Sequence, residues 1–264
     1  MLLERRPSFI SQFLKCDNEI KLQSGEKICV YTIKAVSNEE KNEWAKHLLN
    51  NFTTEQEIIN GAKLNNVSKA EYIKQFVLPS EDLRNGSELS GVFGEILFSD
   101  FIQYILGYEV PRYKFYGGYP GNPNQGIDII AYKFCVDGQS EEDEMLFAEI
   151  KSRLSCKNFG ILQEAIDDIE KRQEKEYALA LDAARRKLEL MNNKMEAKHL
   201  ERFQDSENPC KRVRIAGINT SALFCDSNDF IGVKISANST VLLHVIYAND
   251  LMFLAKDLWG RACL

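Results

Sequence analysis

The chain has 264 residues, 44% hydrophobic and 27% charged, with a net charge of −6 and a pI near 5.3. That length supports one large domain or two small ones with a proper core, and the composition excludes a disordered tail, a collagen-like repeat and a small disulfide scaffold. No apolar run approaches the roughly 20 residues of a membrane helix, and no secretory signal precedes Pro7. The seven cysteines are odd in number and none are spaced C-x-x-C, which argues against a disulfide framework or a zinc site and for a reduced, cytoplasmic protein.

Charge is unevenly spread. Residues 1–150 carry 15 Lys and Arg against 23 Asp and Glu, whereas residues 151–214 carry 15 against 12. The basic middle includes Arg185-Arg186-Lys187 and Lys211, Arg212 and Arg214, which could follow a nucleic-acid backbone, although solvated helix faces are the more common outcome.

In chain order, Lys27–Ile33 predicts a short strand. Helix starts follow at three capping boxes: Ser37-x-x-Glu40, Thr53-x-x-Gln56 and Ser68-x-x-Glu71. Pro79 is expected to stop the third helix, and Arg84-Asn85-Gly86 to form a joint. This divides the chain into a mostly helical region over 1–85, a core extension or partner-docking surface, and a second domain over 86–264.

Beyond the joint, Ser87 to Leu106 predicts a helix with a broad apolar face, closed by Gly107. Pro111–Tyr116 is expected as a strand and 117–126 as a turn-rich loop. Ile127–Val136 and Met145–Ser152 predict an antiparallel hairpin across the acidic segment Asp137–Glu144. Helical sequence spans about 160–203, as one or two helices. Strands return at Val213–Cys225 and Val241–Tyr247, and a last helix starts near Asn249. The fold class is therefore α/β, a mixed central sheet flanked by helices, with core order αβββαβ.

One constellation carries chemistry. Glu149 and Lys151, as i and i+2 in a strand, project from the same face. The hairpin brings Asp128 alongside Glu149. Two carboxylates and an ammonium at the mouth of a strand pair suit metal-assisted phosphodiester hydrolysis. Mg²⁺ takes hard oxygen ligands and lowers the pKa of bound water, and a nearby Lys can steady developing charge. The tripeptide alone is weak, since chance gives about three Asp/Glu-x-Lys matches here. Four occur, starting at Glu19, Glu39, Glu149 and Glu196. Only Glu149 lies in an apolar strand preceded by a Gly-x-Asp strand. A structural ion pair is the bland reading. The loop Gly121–Gly126 lacks the Lys and Ser/Thr of a P-loop, and His47, His199 and His244 have no metal-ligand spacing.

Gly126-Ile127-Asp128 followed by Glu149-Ile150-Lys151 resembles the PD-(D/E)xK, restriction-endonuclease-like superfamily, with Ile127 where a Pro is common and a long spacing of 21 from Asp128 to Glu149. The resemblance implies a Mg²⁺-dependent deoxyribonuclease, with Mn²⁺ as a substitute. It places Asp128, Glu149 and Lys151 in catalysis and Glu95, Asp128 and Glu149 on the metal, with Gln163 as an accessory. A narrower resemblance, through Gly94-Glu95, Gly126–Ile130 and Phe147–Lys151, is to the HamA family of nuclease subunits of Hachiman anti-phage defence. It implies DNA as substrate and a superfamily-2, HamB-like helicase as the restraining partner, with no membrane role. The alternatives are a restriction- or repair-type endonuclease with its own specificity, and a non-catalytic scaffold for a helicase or DNA.

Overall fold

In the computed structural model, which describes residues 6–17, 19–78, 87–116, 126–134, 140–205, 207–237 and 239–264, the apolar runs become one seven-stranded mixed sheet. Its strands are β1 (Phe13–Lys15), β2 (Ile20–Lys21), β3 (Lys27–Ile33), β4 (Ile129–Lys133), β5 (Glu144–Arg153), β6 (Lys211–Ser221) and β7 (Val241–Ala248). They lie in the order β1-β3-β7-β6-β5-β4, with β2 added on β3. β3, β7, β6 and β5 run parallel, and β4 and β1 close the edges antiparallel. The parallel centre explains why β6 and β7 are apolar on both faces, since helices cover both.

Alternation along β5 sorts its side chains. Leu146, Ala148 and Ile150 join one core, and Met145 and Phe147 join the other. The first core is covered by α4 (Ser87–Tyr104), with α1 (Asn38–Leu49) and α8 (Leu251–Ala262) behind it. α4 is apolar nearly all round, with Phe93, Ile96, Leu97, Phe98 and Phe101 buried, because it is enclosed between the sheet and other helices. The second core is covered by α5 (Ile161–Lys171), α6 (Glu174–Leu190) and α7 (Lys194–Gln204). The N-terminal segment enters the first core as well: Phe9 stacks on Trp44 with ring centroids 4.4 Å apart, and Trp44 meets Phe93.

The capping boxes at Ser37 and Ser68 form as expected. At α2 (Glu55–Asn65) the box is one residue later than the sequence reading, at Thr54 with Glu57. Both frames satisfy the pattern, and the ionised Glu57 is the stronger acceptor. It takes the Thr54 N–H at 2.8 Å, which the amide of Gln56 would do less well. A four-residue α3 (Lys69–Tyr72) continues as a π turn over Ile73–Val77, and Leu78 is already extended. Pro79, the 84–86 joint and most of the 117–126 loop lie outside the described residues.

The expected strand Pro111–Tyr116 does not form. A single bridge pairs Glu109 with Tyr132 through two hydrogen bonds of 2.8 and 2.9 Å. Pro111 then ends the ladder, having no N–H to donate. The meander thus has two strands and a bridge. The helical stretch after β5 holds three helices, because Arg172 turns extended and Gln173 starts a new cap.

Candidate active site

The site is built where α4 crosses the end of β4 and β5. Gly94 allows this: a Cβ there would collide with the Ser152 side chain. The Gly94 carbonyl accepts from Asn219 of β6 at 3.1 Å, and the same amide donates to Ser152 at 3.0 Å. The helix therefore rests directly on the sheet, and the next residue, Glu95, reaches past the start of β4.

Asp128 stands one position before β4. The register that pairs Ile129 with Ala148 sets it opposite Glu149. Its Oδ2 accepts the N–H of Ile150 at 2.8 Å, which fixes the carboxylate at the strand mouth. Glu149 is buried and faces α5. Arg172, just past the end of α5, donates to its Oε1 from Nε at 2.9 Å, with Nη2 2.8 Å from the same oxygen. Arg172 also holds Gly126 and Glu176, at 3.0 Å each. Lys151 shares the face of Glu149, and its ammonium lies 2.5 Å from Asp168 of α5.

Lys114 completes the cluster. Its Nζ touches the Glu95 carboxylate and lies 3.3 Å from Asp128 Oδ1. Burial pushes Glu95 up to about 7, with the negative charge of Asp128 adding to the rise against the opposing pull of Lys114. Burial, then Asp128, push Glu149 up to about 7 against Arg172. Burial would lower the Lys114 pKa, but Glu95 and Asp128 outweigh it and raise it. Lys151 is likewise raised, Asp168 outweighing burial.

The structure thus places Asp128 within electrostatic reach of both Glu95 and Glu149. Gln163 is elsewhere on α5: its amide donates to Asp167 and its carbonyl accepts the Lys234 N–H, both at 2.7 Å. Sequence reasoning did not single out Lys114, Asp168 or Arg172. Asp168 lies in the last turns of α5 and Arg172 is the first residue past its end, a placement visible only once α5 is set against β5.

A model of the HamA family matches the chain over residues 7–245. The chain belongs to the HamA family. No curated protein matches it.

In this HamA-family chain the donor set fits a hard divalent cation in its chemistry. Three carboxylates offer oxygen ligands, and burial pushes two of them, Glu95 and Glu149, up to about 7. Among the described residues no three acidic, histidine or cysteine side chains already stand in ion-holding geometry, and the ammonium of Lys114 occupies the space between Glu95 and Asp128. The other candidates have structural partners. His47 binds Asp100, and His199 meets Tyr132, each at 2.9 Å. His244 is buried, and burial pushes its pKa down to about 4. Arg185 and Arg186 both pair with Asp182, Lys211 with Glu144 and Arg212 with Glu174. The six cysteines among the described residues are free. No described helix is long and apolar enough to cross a membrane.

Proposed function

We propose that this protein is a metal-dependent deoxyribonuclease, the effector of a Hachiman-type anti-phage complex, held in check by a superfamily-2 helicase partner. Membership of the HamA family supports the defence setting. The observation that carries the chemistry is the pairing of Asp128 with Glu149 at one strand mouth, beside Glu95, with both glutamates pushed to about 7. Carboxyls whose burial disfavours the charged form gain most from a bound cation.

Glu95, Asp128 and Glu149 would hold Mg²⁺, with Mn²⁺ as a substitute. When bound, such an ion lowers the pKa of coordinated water and offsets charge on the phosphorane-like transition state. Arg172 orients the Glu149 carboxylate and ties it to Gly126. Asp168 holds Lys151 beside Glu149, from where its ammonium can steady an attacking water or a phosphate oxygen.

A scaffold without catalysis is the second reading. It is favoured by the pairing of every site charge inside the chain: Lys114 with Glu95 and Asp128, Arg172 with Glu149, Asp168 with Lys151. Cleavage of plasmid and linear DNA separates the two. Wild type is compared with Glu149→Ala and Lys151→Ala in Mg²⁺, Mn²⁺ or EDTA, alone and with a HamB-like helicase plus ATP. Metal-dependent cleavage that falls by at least about a hundredfold in both variants is expected, the scale of losing a transition-state contact. Intact DNA in every arm would leave the scaffold.

A further inference from the structure

The segment from Val110 to Tyr116 is a strap tied at three points. Arg112 bonds Asp100 and Gln103 of α4 and Asn51 after α1. Lys187 of α6 donates to the Lys114 carbonyl at 3.0 Å. The Tyr116 hydroxyl donates to Glu57 of α2 at 2.5 Å. Between these ties the Lys114 side chain runs inward to Glu95 and Asp128.

An ammonium that spans two carboxylates stands where a divalent cation shared by them would stand. Mg²⁺ draws its oxygens to about 2.1 Å and brings its own waters, so Lys114 and the ion exclude one another by volume and by like charge. The cavity beside Lys114, bounded by Glu95, Ser99, Arg112, Tyr113 and Asp128, holds about 30 Å³. That is room for water-sized guests, and Lys114 forms one of the walls. Lys151 offers no alternative plug, because it is turned to Asp168.

Building on the metal-dependent reading above, we infer that Lys114 is an internal competitor for the catalytic cation, and that loading the site withdraws this side chain from Glu95 and Asp128. The strap ties to α2 and α6 then place control of metal entry on elements that carry none of the three carboxylates. A partner that shifts either helix would change the metal affinity without touching a ligand.

The test uses the full chain as wild type, Lys114→Met and Lys114→Met/Glu95→Gln. Binding of Mg²⁺ and of Ca²⁺ is followed by calorimetry and by thermal shift, so that no readout depends on cleavage. Lys114→Met is expected to bind Mg²⁺ at least about tenfold more tightly than wild type, equivalent to a wild type with the site free in about one molecule in ten. The double variant should lose that gain. In wild type, acetylation of Lys114 by acetic anhydride, read by mass spectrometry, should rise with saturating Mg²⁺; this measurement decides if Lys114→Met does not fold. Equal or weaker Mg²⁺ binding by Lys114→Met, or a Lys114 amine as protected with Mg²⁺ bound as without, overturns the competitor while leaving a metal site. Failure of every form to bind Mg²⁺ removes the metal-dependent reading and the competitor together.

Discussion

Two acidic groups five residues apart on α4 meet opposite fates. Asp100 is wholly buried, yet it stays below the ordinary carboxylate range: burial would raise it, and His47 at 2.9 Å and Arg112 at 2.7 Å more than reverse that. Glu95 is less buried and also touches a cation, but it is pushed up to about 7. The difference lies in the neighbours. Asp100 has Arg112 and His47 both in direct contact, whereas the lysine that touches Glu95 is shared with Asp128. The first is a structural ion pair in which the partners more than offset burial, and the second is an acidic group whose burial is not offset, the kind of carboxyl that a bound cation would stabilise.

The largest expected effect breaks the structural side of this contrast. Arg112→Met strips Asp100 of its guanidinium and frees the strap, and should cost about 3–5 kcal/mol in urea unfolding, the range for orphaning one partner of a buried pair. A loss under about 1 kcal/mol, the scale of an exposed pair, would mean that His47 alone suffices. Gly94→Ala should cost about 1–3 kcal/mol through overpacking against Ser152. It should also weaken Mg²⁺ binding, because the helix that carries Glu95 is forced off the sheet. Unchanged metal binding would detach Glu95 from the site.

The smallest effect is one of slope. A carboxyl whose folded pKa is raised contributes stability that is full below its unfolded pKa and lost as the pH rises through about 7. Asp100, shifted the other way, contributes stability at neutral pH that is lost in acid. Glu95→Gln should therefore flatten the decline in wild-type stability between about pH 5 and 8 while leaving the acid limb unchanged. Parallel pH curves for wild type and variant would place Glu95 in an ordinary carboxylate environment.

Much of this contrast was legible in the chain, and the illegible part has a physical cause. The Asp128–Glu149 pairing follows from two apolar strands joined as a hairpin across the acidic segment Asp137–Glu144, which are local facts. Glu95 was visible as a charge on an apolar helix. Lys114 was hidden because Pro111–Tyr116 has the aromatic alternation of a strand. Only the missing N–H of Pro111 and the ties of Arg112, Lys187 and Tyr116 to three separate helices turn it into a strap. Arg172 and Asp168 act across elements, so nothing adjacent in sequence marks them. The α2 cap slipped by one residue because Thr53 and Thr54 both match the pattern, and the choice falls to Glu57, which also accepts the distant Tyr116 hydroxyl.

The parallel pairing of β3 with β7 sets Ile28 beside Leu243. β1 and β2 reach β3 at once, but nearly the whole chain must be synthesised before β7 does, so this side of the sheet closes late. Until β7 emerges from the ribosome, the facing edges of β3 and β6 are both open and can pair only with other chains. A product shortened before Val241 would keep the strands that carry Asp128, Glu149 and Lys151 and lose the strand that joins β3 to β6. Aggregation of such fragments is the expected fate, and the last strand made is the one that keeps the molecule to itself.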